Sequence, residues 1–344
     1  MRIIVYGAGG VGSVLGGRLH QSGANVVLVA RPAHVDAIVT DGLRVRTGSG
    51  TDVIAVPAVS SIDQLTPGAD DIVIITAKTQ DTPPIHDALM TWNPDVAVVC
   101  GTNGIEHERM ALRRFDRVYG MVIQMPVQFE RPGEVTALFA PMNALVDVGH
   151  YPSGLDDTAV GLAALLDRSQ FLSCEPDDEI MVKKRHKLLL NLGNAADAAC
   201  GRDGRQARVA ADAYREGEAL FDTAGIVFRQ PPERDQRYRD RLSALRFDIP
   251  EGETFLGGST WQSLAKGARS LETDYFNGEI LLVARQLGLP APANSFLQRL
   301  AERMLRERIP AGHMRVDELD AAWDASRSTA SAQGIGDTST SVSR

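Results

Sequence analysis

The 344-residue sequence predicts an α/β domain at the N-terminus and an all-α domain at the C-terminus. Three observations carry this prediction. Short, fully apolar segments recur in the first half of the chain, and a glycine-rich turn joins the first of them to a helix. From about residue 176 onward, helical periodicity dominates. Apolar strands that alternate with helices are typical of a parallel sheet, and a chain of this length exceeds the usual size of one core.

The first domain is predicted over residues 1–175 from segments with the length and composition of buried strands. The strands expected in the parallel sheet are Arg2–Tyr6, Val26–Ala30, Asp71–Ala77 and Val96–Cys100. Further strands that end this domain are expected within Val118–Phe129, Val135–Phe139 and Ala144–Val148. A helix from Val11 to Gln21, ended by Gly23, connects the first two strands. In such a sheet the carboxyl ends of the strands converge on the ligand crevice.

The second domain is predicted over residues 176–325 and is entirely helical. Its longest expected helical runs are Glu179–Cys200, Ala207–Gly225 and Leu271–Leu287. Residues 326–344 are rich in Ser, Thr, Gly and Ala and hold almost no large apolar side chain. Such a segment buries too little apolar surface to offset its conformational entropy, so we expect a disordered tail.

Composition and charge exclude several classes of function. The net charge is −8, and the only basic run is the short Lys183-Lys184-Arg185, so no concentrated basic face exists for nucleic acid. No apolar stretch approaches the length of a membrane span, and the histidines lack the spacing of metal ligands. Cys100, Cys174 and Cys200 form neither a CxxC pair nor an even set. A reducing cytoplasm without structural metal is therefore expected.

The motif Gly7-x-Gly9-x-x-Gly12 follows a predicted strand and opens a predicted helix. Gly7 allows the tight turn, Gly9 lets the backbone approach a pyrophosphate, and Gly12 lets helix and strand pack closely. The helix N-terminus faces the phosphate charge. The loop Gly7–Gly12, which includes Ala8, Gly10 and Val11, therefore indicates a Rossmann-type dinucleotide-binding domain. A glycine-rich turn without a ligand is the alternative.

The end of the second strand indicates which dinucleotide binds. An acidic residue there would accept the ribose 2′-OH of NAD(H), whereas this chain has Arg31, with His34 nearby. A guanidinium suits a 2′-phosphate, and such a charge-assisted hydrogen bond contributes roughly 1.5–3 kcal/mol. The sequence therefore favours NADP(H) over NAD(H), the alternative being that Arg31 is an ordinary surface arginine.

Several polar residues stand where they could take part in chemistry. Lys187, Asn191 and Asn194 fall at i, i+4 and i+7 of a predicted helix and share one face, which either faces water or lines a polar cleft. Lys78 and Asn103 follow predicted buried strands, at the crevice edge of the sheet.

Two further polar residues stand at helix starts in the C-terminal half. Ser259, in Ser-x-x-Gln, also fits a capping box, and Glu272 also fits a first-turn carboxylate stabilised by the helix dipole. Neither residue indicates a function alone.

Taken together, these elements resemble the ketopantoate (2-dehydropantoate) reductase family over about residues 1–310. The resemblance rests on GAGGVG, Arg31, Lys78 in TAKTQ, Asn103-Gly104, Lys187-LLL-Asn191 and the stretch STWQSLAKGARSLETDYFNGEI. It implies a Rossmann domain with an all-helical C-terminal domain, and reduction of a 2-oxo acid by NADPH. Ketopantoate itself would place the enzyme in pantothenate biosynthesis, and a homodimer stays open.

By position, the resemblance also implies roles for individual residues. Lys187 corresponds to the catalytic lysine that polarises the keto oxygen and protonates the alkoxide, and Glu272 to the carboxylate that orients it and contacts the hydroxyl being formed. Asn103, Asn191 and Ser259 correspond to groups that hold substrate, with Asn194 as the nearest further amide. Lys78, Asn103 and Glu272 are also expected to contact the cofactor. Hydride transfer builds negative charge on oxygen, which a fixed ammonium stabilises.

The chain also departs from the family pattern. A second asparagine usually follows the first by four residues, but Ala195 stands there and Asn194 comes one residue early. The segment from Ser259 to Glu272 is one residue longer. Two alternatives therefore stay open: an NADPH-dependent reductase of another 2-oxo acid or ketone, and a non-catalytic NADPH-sensing protein.

Overall fold

The computed structural model describes residues 1–254 and 257–334, apart from the side chains of Glu130 and of residues 329–334. The chain forms two compact units. The first contains residues 1–188 and 227–254, and the second contains residues 189–226 and 257–334. The first unit is built on sheets and the second on helices, so the predicted combination of an α/β domain with an all-α domain is confirmed.

All strands of the described chain lie in the first unit. They are β1 (Arg2–Tyr6), β2 (Val26–Val29), β3 (Leu43–Thr47), β4 (Gly50–Ile54), β5 (Ala58–Val59), β6 (Asp71–Ile75), β7 (Ala97–Cys100), β8 (Val118–Gln124), β9 (Val127–Arg131), β10 (Glu134–Ala137), β11 (Ala144–His150) and β12 (Leu172–Ser173). Eight of them form one sheet in the order β12-β11-β8-β7-β6-β1-β2-β5. A smaller sheet has the order β4-β3-β10-β9.

Helices cover both faces of the large sheet and make up the second unit. They are α1 (Gly10–Gln21), α2 (Pro32–Asp41), α3 (Thr82–Trp92), α4 (Glu106–Leu112), α5 (Asp157–Asp167), α6 (Ile180–Asn191), α7 (Asn194–Cys200), α8 (Arg208–Thr223), α9 (Pro232–Ser243), α10 (Ser259–Ala265), α11 (Asn277–Leu287), α12 (Pro292–Glu307) and α13 (Val316–Gly334). Short 3-10 helices occupy Ile62–Gln64, Thr79–Asp81, Arg202–Gln206 and Glu272–Tyr275. No described helix has the length and apolar character that crossing a membrane requires.

The central strand β1 shows why the large sheet is buried on both faces. Ile3 packs in one core cluster with Leu15 of α1, whereas the next residue, Ile4, packs in a second cluster with Leu89 of α3. Successive side chains of a strand point to opposite faces, so a strand covered on both sides reads as continuously apolar. The run IIV in β1 follows that rule, and all three side chains are fully buried.

β1 pairs in parallel with β2 on one side and β6 on the other, and β7 and β8 continue the parallel order. Only β11 runs antiparallel to its neighbour β8 within this sheet. The chain thus leaves β1 toward one edge of the sheet and later returns to its other side. In open α/β sheets such a reversal opens a crevice at the carboxyl ends of the strands.

The boundary between the two units differs from the one predicted after residue 175. Most of α6 belongs to the first unit, and the chain returns to that unit at residue 227. Charged contacts explain both facts. Lys183 of α6 pairs with Asp147 of β11 at 2.7 Å and with Asp177 at 2.6 Å, and Arg241 of α9 pairs with Asp147 at 2.9 Å.

Two predicted helical features are also different. The single helix expected over Glu179–Cys200 is broken into α6 and α7 at Gly193, which stands as the N-cap of α7. The tail predicted as disordered begins inside α13, which includes residues 326–334, while residues 335–344 lie outside the described chain. Trp323 anchors α13, since it is 3% exposed and donates its indole N–H to Asp212 at 2.8 Å.

Candidate active site

The glycine loop occupies the carboxyl end of β1. Gly7 has φ +85°, and a Cβ there would lie 2.6 Å from the backbone nitrogen of Ala77. A Cβ at Gly12 would overlap Thr76 Oγ1, so this glycine allows helix α1 to approach β6. A Cβ at Gly9 would meet only Gly7 O, at 3.9 Å, so it would extend into open space. Glycine at position 9 therefore serves something other than the packing of the chain.

The start of α1 is suited to a phosphate group. The helix begins at Gly10 with Gly9 as its N-cap, no side chain caps it, and no acidic residue lies in its first turn. The first N–H groups of a helix lack intrahelical partners and attract anions. Together with the open cradle at Gly9, this helix end fits the pyrophosphate of a dinucleotide. Contacts of Ala8 and Val11 with that group remain predictions.

Arg31 and His34 lie together at the end of β2 but have different surroundings. Arg31 is exposed at the N-cap of α2, where it is accessible to a ligand. His34 is buried: its Nδ1 accepts the Gly133 N–H at 2.8 Å, and its Nε2 donates to Ser13 Oγ at 2.9 Å. Burial, aided by the Arg31 charge, lowers the pKa of His34 to about 4. His34 is therefore a neutral structural residue, and Arg31 is the cation available at this position.

Lys78 and Asn103 lie on adjacent loops at the same edge of the sheet. Lys78 is the N-cap of the 3-10 helix Thr79–Asp81, which follows β6, and Asn103 lies in the loop after β7. The two loops are joined because Thr79 Oγ1 donates to the Asn103 carbonyl at 3.3 Å. The parallel pairing of β6 with β7 thus brings both predicted residues to the crevice edge.

Lys184 supports the loop that carries Asn103, a role that the sequence did not indicate. Its ammonium donates to the carbonyls of Cys100 at 3.2 Å and Thr102 at 3.0 Å, and it pairs with the Glu108 carboxylate. Although Lys184 belongs to the short basic run, its side chain is only 2% exposed. Its i−3 spacing from Lys187 was the signal that could have placed it on the same inward face.

Lys187 lies one helical turn beyond Lys184 on α6. Its Nζ donates to the carbonyl of Ile123, close to the carboxyl end of β8, and the side chain is partly buried. Because β8 is parallel to β7, the Lys187 ammonium lies at the edge of the sheet that also carries the glycine loop, Lys78 and Asn103. The first unit therefore brings its own share of the predicted residues together.

Within the second unit, Asn191 and Asn194 have separate environments. Asn191 ends α6 and Asn194 begins α7, so the predicted common helical face does not extend to Asn194. Asn194 is 4% exposed, and its Oδ1 accepts from Arg205 Nη2 at 2.8 Å. Asn191 Nδ2 is buried and has no hydrogen-bond partner among the residues that the structure describes.

Ser259 is the first residue of α10 and is exposed. The capping box is not formed, since the N-cap is Gly258 and no side chain caps the helix. Instead, the Gly258 N–H donates to Asp197 Oδ2 at 2.6 Å, which joins α10 to α7. Asp197 is 1% exposed, and its burial raises the pKa of the carboxyl group although the Gly258 hydrogen bond opposes that change.

Glu272 is 8% exposed and opens the 3-10 helix Glu272–Tyr275. The predicted helical run Leu271–Leu287 thus consists of this short helix followed by α11. A buried carboxylate at the start of such a short helix gains little from a helix dipole, which requires aligned peptide units. Its burial distinguishes Glu272 from an ordinary solvated first-turn residue.

Comparisons with known proteins identify the family of the chain. The family described as Ketopantoate reductase PanE/ApbA matches residues 3–152, and its C-terminal region, Ketopantoate reductase PanE/ApbA C terminal, matches residues 179–304. The 2-dehydropantoate 2-reductase of Pyrococcus horikoshii is 26% identical over 312 residues, which cover 88% of this chain and 97% of that protein. The enzyme of the same name from Mesorhizobium japonicum is 26% identical over 341 residues, covering 90% and 99%.

Solved structures show the same fold. The PanE/ApbA family ketopantoate reductase from Ralstonia eutropha JMP134 has a TM-score of 0.72 and 26% identity, over 90% of this chain and 99% of its own. D-mandelate dehydrogenase, solved with NADH and anilino(oxo)acetate, has a TM-score of 0.70 and 23% identity over the same shares. Since the family matches span both halves of the sequence, the protein belongs to the ketopantoate reductase family, whose members are nicotinamide-dependent oxidoreductases.

Proposed function

We propose that the protein reduces a 2-oxo acid to the 2-hydroxy acid with NADPH, and that the substrate is 2-dehydropantoate. The product would be pantoate, a precursor in pantothenate biosynthesis. One observation carries the proposal: the Lys187 ammonium lies at the carboxyl edge of the parallel sheet, where β1 ends in the glycine loop. The three free cysteines fit an enzyme of the reducing cytoplasm.

The residues of the glycine loop and Arg31 would hold the cofactor. The loop from Gly7 to Gly12 takes the pyrophosphate, because Gly9 leaves room for it and α1 presents unpaired N–H groups. Arg31 takes the ribose 2′-phosphate, and Lys78, Asn103 and Glu272 complete the proposed set. NADPH, when bound, supplies the hydride.

Lys187 stabilises the developing alkoxide and then protonates it. As the carbonyl carbon is reduced, negative charge collects on oxygen, and a positioned ammonium at that oxygen lowers the barrier. Lys187 is suited to this role because its Ile123 contact restricts a long, flexible side chain. The proton passes from Nζ to the alkoxide oxygen, which gives the hydroxyl group. A positioned general acid contributes about 10²–10⁴ in rate.

Glu272 and the polar amides orient the reacting groups in this proposal. Glu272 is assigned to the hydroxyl group being formed, and its burial distinguishes it from a solvated surface carboxylate. Asn103, Asn191 and Ser259 hold the substrate. For Asn191 the support is direct, since its buried Nδ2 lacks an acceptor among the described residues, and a substrate oxygen would supply one. Asn194 contributes through its contact with Arg205.

A different 2-oxo acid is the second candidate substrate. It is favoured by the position of Asn194, which begins a separate helix and is engaged by Arg205, while Ala195 stands where the family has its second asparagine. Such a change at the substrate end leaves the reductase chemistry intact and alters which side chain of the oxo acid fits.

A substrate panel tests the proposal. NADPH oxidation is followed at the nicotinamide absorbance with 2-dehydropantoate, with other branched and aromatic 2-oxo acids, and with NADH as the control cofactor. The proposal predicts turnover of 2-dehydropantoate with NADPH. Turnover restricted to another oxo acid keeps the reductase and changes the substrate. Tight NADPH binding without turnover of any oxo acid contradicts the enzyme and favours the sensor.

A further inference from the structure

Arg205 has surroundings in the second unit that its position in the sequence does not indicate. It lies in the 3-10 helix Arg202–Gln206, and its side chain is 49% exposed. Its guanidinium donates to Asn194 Oδ1 at 2.8 Å and to the Leu190 carbonyl at 3.4 Å. A Cβ at Gly258 would lie 3.5 Å from Arg205 Nη2.

These contacts place the guanidinium beside all three substrate positions proposed for the helical unit. Leu190 directly precedes Asn191, Gly258 directly precedes Ser259, and Asn194 is itself one of the three. The guanidinium therefore bonds to the chain at Leu190 and Asn194 and lies close to the start of α10 at Gly258.

Around Arg205, N–H donors outnumber the acceptors that the neighbouring residues provide. Asn191 Nδ2 is buried without an acceptor in the described chain, and Arg205 is half exposed. The nearest carboxylate, Asp197, lies 4.0 Å from Arg205 Nε, and its other oxygen accepts the Gly258 N–H at 2.6 Å. That separation is well beyond the 2.7–2.9 Å of a charge-assisted hydrogen bond. Asp197 therefore pairs with the guanidinium only at a distance and makes no direct charge-assisted hydrogen bond with it.

We propose that Arg205 binds the carboxylate of the 2-oxo acid and is the residue that makes this enzyme prefer acids to neutral carbonyl compounds. The inference rests on the proposed function and deepens it. A guanidinium offers two parallel N–H donors that match the two oxygens of a carboxylate. Asn194 orients the Arg205 guanidinium through its side-chain carbonyl oxygen. The Asn191 amide donates to an oxygen of the same substrate.

Kinetics with a matched pair of substrates test Arg205. The 2-oxo acid that the wild type reduces best is compared with its methyl ester, in the variants Arg205→Met, Arg205→Lys and Arg299→Met. Arg299, exposed on α12 of the same unit, is the matched control. Thermal unfolding shows whether each variant is folded, and the NADPH affinity shows whether it binds the cofactor.

Arg205→Met is expected to raise the KM for the acid by about 10- to 100-fold with little change in kcat, the loss typical of one charge-assisted hydrogen bond. The KM for the ester should change by less than about threefold. Arg205→Lys keeps the charge but lacks the paired N–H donors, so its KM for the acid should lie between those of the wild type and Arg205→Met. If the wild type does not reduce the ester, the KM for the acid decides alone.

Two outcomes overturn the assignment of Arg205. One is an acid KM equal to that of the Arg299→Met control, and the other is an equal loss on acid and ester, which would indicate a structural role. Failure of the proposed function looks different, since the wild type itself would then reduce no 2-oxo acid.

Discussion

The Lys184 ammonium and the Glu108 carboxylate form an ion pair whose side chains are 2% and 0% exposed. Lys184 also donates to the carbonyls of Cys100 and Thr102, so the pair anchors the loop that presents Asn103. Burial raises the pKa of Glu108, and the nearby Lys184 charge counteracts that change. The two charges stabilise the loop only while both are present.

Lys184→Met should therefore destabilise the protein more than removal of both charges. The single substitution leaves a buried carboxylate without its cation, which costs about 3–5 kcal/mol of unfolding free energy. The double variant Lys184→Met/Glu108→Leu should recover at least half of that loss. Urea unfolding of the wild type and both variants measures the difference, and a double variant less stable than the single one would contradict the interpretation.

Gly9→Ala and Gly12→Ala should separate cofactor binding from folding. A methyl group at Gly9 meets no protein atom closer than 3.9 Å, so stability should change little while NADPH affinity falls by at least about tenfold. A methyl group at Gly12 overlaps Thr76 Oγ1, so stability should fall by about 1–3 kcal/mol. Thermal unfolding without cofactor and NADPH titration supply the two readings. If the Gly9→Ala variant binds NADPH with wild-type affinity, the assignment of the pyrophosphate to this loop is wrong.

Arg31→Ala should weaken NADPH selectively. The loss of one charge-assisted hydrogen bond to the 2′-phosphate predicts about a 10- to 100-fold rise in the Kd of NADPH. NADH has no such phosphate, so its Kd should remain within about threefold. Fluorescence titration with both cofactors gives the ratio, with Arg113→Ala, exposed at the end of α4, as the control. Equal losses for the two cofactors would count against the phosphate role.

Two buried histidines should make the protein sensitive to acid. Burial, with a smaller effect of a nearby arginine, lowers the pKa of His34 and of His86 to about 4. The unfolded chain has a histidine pKa of about 6.5 and therefore binds protons first as the pH falls. Their contribution is complete above about pH 6.5 and is lost as the pH decreases toward about 4, up to roughly 3 kcal/mol for each imidazole.

Stability measured against pH checks this expectation for His34. The His34→Gln variant, which cannot gain a proton, should show a shallower loss of unfolding free energy between about pH 6.5 and 4 than the wild type. The exposed His313 provides the matched His313→Gln control. A slope unchanged by His34→Gln would show that folding does not lower the pKa of His34.

Much of the first unit could be predicted from local sequence, because its strands are buried on both faces. The run Arg2–Tyr6 matches β1 at both ends, and α1 begins one residue before the predicted start. Gly7 and Gly12 of the loop stand where the close approach of neighbouring residues leaves no room for a side chain. The spacing of the glycines is visible in a single sequence, so the loop could be predicted. Where contacts distant in sequence decide the outcome, as in the return of residues 227–254 to the first unit, the local sequence pattern carries no signal.

Prediction from the sequence fails most clearly at α6 and the elements that follow it. Gly193 breaks the predicted helix, so the spacing of Lys187 and Asn194 does not describe a common face. Arg205 carried no sequence signal, since its contacts with Asn194 and Leu190 depend on how the 3-10 helix packs against α6 and α7. Residues that act through packing partners, such as Lys184, require the fold before their role can be inferred.

Single-turnover reduction by Lys187→Ala tests whether the fixed Lys187 ammonium accelerates the chemical step. The preformed NADPH complex is mixed with saturating 2-oxo acid, and the decay of the nicotinamide absorbance is compared with that of the wild type and of Lys266→Ala. Lys266 is an exposed lysine that follows α10. We expect a decay at least about 100-fold slower for Lys187→Ala, with NADPH affinity within about threefold of the wild type. A decay as fast as that of the wild type would contradict this expectation.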